Sequence, residues 1–220
     1  MEPARNSVNE QAIQDPVDLQ RRVAPRQKRS QERIEIIIEA TKRLLERGEA
    51  DSITTSTVAA EANVPVSSVY RYFPNIYSIH LTILEEFKAQ TDGIIHGILS
   101  DPDVQDWRVS LTGMIQGLRQ LVQDTPSFGA VFRLTLTTPE LRGVREEWNR
   151  RFAEMLAGRW REGRDNFNGG DPEMVARMIV EIYCAAEVIA FEKRADPEVA
   201  DRYFGEAMRV LERYIAPYLD

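Results

Sequence analysis

The sequence predicts an all-α fold, with a short three-helix unit in front and a larger helical body behind it. Apolar residues recur at helical spacing through successive segments, and no stretch of comparable length shows the period-two alternation of a strand. Helix starts also repeat one signal. Asp101-Pro102-Asp103, Thr138-Pro139-Glu140, Asp171-Pro172-Glu173 and Asp196-Pro197-Glu198 each set a capping oxygen before a proline at the first helical position. An acid then follows in the positive first turn.

Residues 1–25 are polar, carry Pro3, Pro16 and Pro25, and lack sustained periodicity, so they are expected to be a disordered tail. Ile34, Ile37, Ile38, Thr41, Leu44 and Leu45 then predict a first helix, ended by Gly48 as its C′ residue. Thr54 is placed to cap a short helix over Thr55–Ala62 whose inward face is Val58, Ala59 and Ala62. Asn63 falls where the chain must turn sharply, and asparagine tolerates the left-handed conformation. Val64 plugs the core, and Pro65 opens a second short helix that runs through Phe73 before Pro74 stops it. Two such helices joined by three or four residues make a helix-turn-helix. In the body, Val104, Trp107, Leu111, Met114, Ile115, Leu118, Leu121 and Val122 form one apolar stripe. Leu141, Val144, Trp148, Phe152, Met155 and Leu156 form another. Asn166–Gly170 is the most loop-like interior stretch.

The net charge of −7 disfavours nucleic acid at first sight, but its distribution matters more. Residues 26–80 hold 8 Lys/Arg against 7 Asp/Glu, and residues 81–220 hold 17 against 24. Arg21, Arg22, Arg26, Lys28, Arg29 and Arg33 crowd together with only Glu32 opposing them. A basic arm thus leads an acidic body, as expected where one end approaches phosphates. The second short helix adds the chemistry. Its early residues are small or hydroxylated, so it can sink into a major groove and hydrogen-bond base edges. Tyr70, Arg71 and Tyr72 can reach flanking phosphates. The candidate DNA contacts are Arg26, Lys28, Arg29 and Arg33 of the arm, Thr54, Thr55 and Ser56 of the first short helix, and Pro65, Val66, Ser67, Ser68, Tyr70, Arg71 and Tyr72 of the second.

Residues Ile53 to Phe87, ITTSTVAAEANVPVSSVYRYFPNIYSIHLTILEEF, resemble the tetracycline-repressor (TetR) regulators. Val58-Ala59, Ala62-Asn63-Val64 and Val69-Tyr70-Arg71-Tyr72-Phe73 stand at that family's spacing, and the preceding helix with Gly48 matches as well. The resemblance covers roughly residues 30–90; the remainder is similar only in length and helical character. Two positions depart from the pattern. Asn63 stands where a turn glycine is usual, and Ile76 where a phosphate-contacting lysine is common. Arg26, Lys28, Arg29 and Arg33 are substitutes for that contact.

The resemblance implies a DNA-binding domain over residues 26–77 and a ligand-binding and dimerisation domain over 78–220, acting as a homodimeric regulator, most simply a repressor released from a pseudo-palindromic operator by a small apolar or amphipathic effector. The helix opening at Pro172 is apolar around much of its circumference, so more than one side must be covered. Met178, Ile182, Ile189, Tyr203, Met208, Leu211 and Tyr214 of the last two helices are the candidate dimer contacts. Trp107, Met114, Leu118, Phe128, Phe132, Trp148, Phe152, Met155 and Tyr183 are candidates to line an apolar pocket, although at helical spacing such residues more often make core. Glu187 is either a polar anchor for a cationic ligand or a surface acid.

Other classes are left little support. No Gly-rich phosphate loop, Cys/His ligand cluster or nucleophile elbow occurs, so no cofactor, metal or enzymatic role is expected. His80 and His96 are the only histidines; Asp92 and His96 share a helix face, which usually marks a surface pair. Cys184, the only cysteine, sits in an apolar run and reads as a small buried hydrophobe. Without a disulfide, a secretory layout or an apolar run long enough to span a bilayer, a cytoplasmic protein with no membrane contact is expected. The competing reading is an all-α dimeric interaction protein that no longer binds DNA, suggested by Ile76 and the acidic net charge.

Overall fold

A computed structural model describes residue 18 and residues 28–48, 50–104 and 106–220. The expected tail over 1–25, and Arg26, lie outside the described residues apart from position 18. The described residues form an all-α structure without strands: α1 Lys28–Glu46, α2 Thr55–Glu61, α3 Val66–Tyr72, α4 Ile76–Leu99, α5 Trp107–Asp124, α6 Pro126–Thr137, α7 Pro139–Arg161, α8 Pro172–Glu192 and α9 Pro197–Leu219, with 3-10 turns at Ala50–Ser52 and Arg164–Asn166. None of these helices is long and apolar enough to cross a membrane.

Of the four proline-led signals two form the expected cap, while Thr138 precedes α7 without a side-chain capping bond. Asp171 accepts from Glu173 N at 3.0 Å, and Asp196 accepts from Val199 N at 3.2 Å. The first of the four signals behaves differently. Asp101-Pro102-Asp103 is a turn rather than a helix start, and α5 begins later, capped by Asp106 on Arg108 N at 2.8 Å. Val104 therefore lies outside the helix whose stripe it was expected to begin. The cause is tertiary, since the Val104 carbonyl accepts a bond from Arg159, a residue 55 positions away, at 2.7 Å.

Arg159 is buried with Asp165. Its Nε donates to Asp165 Oδ2 at 2.6 Å and its Nη2 to Oδ1 at 2.8 Å, a bidentate pair with both side chains 2 % exposed. Nη1 also donates to the Leu99 carbonyl at 2.8 Å, at the negative end of α4. One guanidinium thus ties together the end of α4, the α4–α5 loop, α7 and the turn after it. Asp165 holds the left-handed conformation at φ 60, which short polar side chains tolerate.

α1, α2 and α3 pack around Ile37, Leu45, Val58, Val69 and Phe73, all less than 2 % exposed. This core does not stop at the front unit. It continues through Ile79, Ile83 and Phe87 of α4 into Phe128, Val131 and Phe132 of α6. A second core joins Ile95 and Leu99 of α4 to α5, α7, α8 and α9. α4 therefore runs through the expected boundary at 77/78 and serves both units. Gly129 of α6 admits the Phe191 ring of α8, because a Cβ there would overlap it.

His80 is a buried imidazole. It is 3 % exposed, and neither ring nitrogen has a hydrogen-bond partner. Burial pushes its pKa down to about 4. The unfolded chain takes up this proton near pH 6.5, so between the two values the unfolded state binds more protons. Stability is thus full above pH 6.5 and falls by about 3 kcal/mol as the pH drops towards 4. Urea midpoints at pH 7.5 and 5 should show His80→Leu flattening that part of the profile. Asp165→Asn preserves shape and left-handed tolerance but strands the Arg159 charge. It should cost about 3 kcal/mol in urea unfolding, and an unchanged midpoint would remove the clamp from this account.

Candidate nucleic-acid interface and effector cavity

The geometry of α2 and α3 follows from local chemistry. Thr54 and Thr57 form a reciprocal cap: Thr57 N donates to Thr54 Oγ1 at 3.2 Å, and Thr54 N to Thr57 Oγ1 at 2.9 Å. At the other end of α2, Asn63 sits at φ 51. Asn63 N donates to Ala60 O at 3.1 Å and Val64 N to Ala59 O at 3.0 Å, the paired bonds of a Schellman turn. Asparagine thus fills the glycine position, and buried Val64 supplies the accompanying apolar contact. Arg47, just beyond α1, and Arg43 of α1 both grip Glu61 of α2, at 2.7 and 2.9 Å, and hold its carboxyl below the usual carboxylate range. Pro65 occupies the cap position of α3, one residue before the helix it was expected to start.

The phase of these helices sorts the candidate contacts. Thr54, Ser56, Pro65, Val66, Ser67, Tyr70 and Arg71 are exposed, and Ser68 is half-buried at their edge. Lys28, Arg29 and Arg33 are exposed on α1. Two candidates turn inward. Tyr72 is 5 % exposed and shares the inner face of α3 with Val69, so its ring belongs to the core. Thr55 is 8 % exposed and donates to the Tyr70 hydroxyl at 2.9 Å, bracing α2 against α3. Thr57, which sequence reasoning missed, is exposed beside Thr54. Among the described residues Lys28, Arg29, Arg33 and Arg71 make no ion pair, whereas Arg108, Arg119, Arg150, Arg161, Arg177 and Arg209 of the body each hold a carboxylate. Exposed cations without an ion pair thus stand on α1 and, at Arg71, on α3 itself.

In the body, an apolar cavity of about 50 Å³ lies between α4, α5, α6, α7 and α8. Of the pocket candidates, Leu118, Phe128, Phe132, Trp148, Phe152, Tyr183 and Glu187 line it, joined by Phe87, Thr91, Val122, Asn149 and Cys184. Phe87 stacks on Phe128, and the Trp148 ring stands edge-on to Phe128 and Phe132 at 5.8 Å from each. Trp107 and Met114 line a separate void near Trp160, and Trp107 Nε1 is held by Asp220 at 3.0 Å. Met155 lines neither and packs into the second core. A wider cleft of about 270 Å³ lies next to the cavity, between α1, α5, α8 and α9, and the two share Val122 and Glu187.

Glu187 accepts from the Tyr183 hydroxyl at 2.7 Å, and burial raises its pKa above the usual carboxylate value. It is therefore no surface acid. Burial also pushes Cys184 up to about 12, and its Sγ meets Asn149 Oδ1 at 3.5 Å, so it is no reactive thiol. Asp92 pairs with Lys88 and Arg151, and His96 lies against Ser100, so the two do not form a site. Among the described residues no cluster of His, Cys, Asp and Glu could hold a metal.

The expected dimer contacts divide as well. Met178 and Ile189 of α8 and Tyr203 of α9 are exposed, and Ile182, Met208 and Tyr214 are half-buried. Leu211 is wholly buried against the protomer's own second core and is withdrawn from that face. Met174, at 65 % exposure, and Val210, at 53 %, extend the exposed apolar stripe.

Residues 37–80 match the family described as bacterial regulatory proteins, tetR family, and residues 106–215 match the tetracyclin repressor-like C-terminal domain. No curated protein matches the chain. Solved structures match over most of its length. A TetR transcription regulator from Haloarcula marismortui superposes with a TM-score of 0.67 at 19 % identity, covering 86 % of this chain and 100 % of that one. A TetR-family transcriptional regulator from Streptomyces coelicolor gives 0.64 at 22 %, covering 85 % and 99 %. SmeT of Stenotrophomonas maltophilia, in complex with triclosan, gives 0.62 at 17 %, covering 86 % and 92 %.

Proposed function

Since the chain belongs to the TetR family of bacterial transcriptional regulators and is no enzyme, we propose that it is a homodimeric repressor released from a pseudo-palindromic operator by a small molecule. The observation that carries the reading is the α3 face. Ser67, Val66 and Pro65 are small enough to enter a major groove, and Tyr70 and Arg71 flank them. Arg71, Lys28, Arg29 and Arg33 are free to neutralise phosphates, and the arm compensates for Ile76 at the family's lysine position. Seven of the twelve cavity-lining residues are expected apolar or aromatic contacts of the effector or its anchor, and apolar cavities of this make-up are usual effector sites. SmeT, complexed with triclosan, and EbrR, a multidrug binding protein complexed with imidazole, share the fold and accommodate small aromatic molecules.

The dimer rests on α8 and α9. Met174, Met178 and Ile189 recur on one face of α8, with Tyr203 and Val210 exposed on α9. Two copies joined there make a four-helix interface and aim two α3 helices at successive major grooves. Release follows from α6, whose Phe128 and Phe132 line the cavity and also belong to the core that holds α1, α2 and α3. An effector that spreads those rings prefers a different setting of the reading head, and that difference in affinity drives release.

Selection of bound duplexes from a random library, followed by a salt titration of the winner, tests the DNA reading. A pseudo-palindrome whose affinity falls with salt is expected. Arg71→Ala should reduce the salt slope by about one, and Ser67→Tyr should abolish binding by blocking the groove. No enrichment at low salt would favour the interaction-protein reading instead. Met178→Glu places a charge in the α8 face, so sedimentation should show monomers; an unchanged dimer would move the interface elsewhere.

A further inference from the structure

We propose that the effector is a flat aromatic cation, its rings held by the inner cavity and its charge by Glu187. This inference rests on the reading of that cavity as the effector site and specifies its ligand. The cavity wall is almost wholly apolar, with Phe87, Phe128, Phe132, Trp148 and Phe152 presenting ring faces and edges. Its hydroxyl, amide and thiol groups are already engaged. Thr91 Oγ1 donates to the Phe87 carbonyl at 3.1 Å, Asn149 Nδ2 to Glu181 at 3.2 Å, Cys184 to Asn149, and Tyr183 to Glu187.

Glu187 is the exception. Among the described residues it makes no ion pair, and its hydrogen-bond partner is a neutral hydroxyl 2.7 Å away. Glu187 is half-buried, and a carboxylate drawn out of water without a paired cation is costly. The cation whose field reaches it, Arg119, is committed elsewhere: it pairs with Asp201 and lies over the Phe204 ring at 4.1 Å. The carboxylate is therefore left for something that comes from outside. The raised pKa of Glu187 agrees, because desolvation outweighs what the Tyr183 hydroxyl and the field of Arg119 give back.

The position of Glu187 supports the same ligand. It stands with Val122 on the wall common to the inner cavity and the outer cleft of about 270 Å³. A cation arriving through the cleft meets the carboxylate first and then a surface of aromatic rings, which adds cation–π attraction to the ion pair. The inner cavity, at about 50 Å³, is smaller than a polycyclic ligand. Admission requires the rings of Phe128 and Phe132 to turn, and those are the rings that couple the cavity to the reading head.

Proflavine, cationic near neutral pH, and acridine, the neutral ring system without its amino groups, separate charge from shape. Titrations at pH 7.5 with the full chain and no DNA, read by dye fluorescence, should give proflavine at least tenfold tighter than acridine. Glu187→Gln keeps the shape and the acceptor for Tyr183. It should weaken proflavine at least tenfold and leave acridine unchanged, while Phe152→Ala should weaken both dyes. Equal affinities for the two dyes in the unaltered protein, or proflavine binding indifferent to Glu187→Gln, would overturn the proposal, as would loss of both dyes together in that variant. A chain that binds proflavine through Glu187 but selects no duplex would retire the repressor reading alone. A chain that selects a duplex but ignores the charge of the dye would retire this inference alone.

Discussion

Helix α6 has scarcely any surface left for solvent, and the rest of the structure is arranged around that constraint. Eight of its residues, from Ser127 to Thr135, are buried. Its rings fill the core that carries α1 to α3 and also line the cavity of the body. A helix enclosed in this way cannot shift without repacking both neighbours, because close-packed interiors pass displacement on rather than absorb it. Gly129 makes the enclosure tighter by letting the Phe191 ring of α8 approach the α6 backbone. The front unit, the cavity and α8 are therefore mechanically one system.

Asp165, which is buried, and Glu187, which is half-buried, show how differently a charge can be housed. Asp165 meets Arg159 in a bidentate pair, and other guanidinium hydrogens serve the carbonyls of Leu99 and Val104. That arrangement uses four of the five guanidinium N–H donors and ties the end of α4 to α7. Glu187 sits in an aromatic wall with only a tyrosine hydroxyl for company. The first is a finished structural joint at the end away from α3; the second is an open valence beside α6. His80 follows the same logic from the other side, since its ring stays neutral because nothing around it favours a proton.

Features set within one turn of chain were legible before any tertiary contact was known. Asn63 in the left-handed region, the Thr54 cap, the Gly48 stop and three of the four Pro-led helix starts depend on neighbours a few residues away. The resemblance carried by Ile53 to Phe87 belongs to this class too, because a helix-turn-helix is a local unit. Seven of the ten pocket candidates do line the cavity, yet Trp107, Met114 and Met155 share their spacing and do not. Helical periodicity says that a side chain faces inward, but it does not say which of two interior spaces it faces.

From the sequence alone came the helices, their caps, the sharp turn at Asn63 and the basic arm of a DNA-reading unit, because each depends on short-range backbone and side-chain chemistry. Only the tertiary structure decided that Thr55 and Tyr72 turn inward, that Leu211 belongs to the protomer's own core, and that Asp101 begins a turn. It alone paired Arg159 with the carbonyls of Leu99 and Val104 and set Glu187 beside rings from four helices. Those outcomes depend on the relative rotation of helices far apart in the chain, and that rotation is set by packing them together.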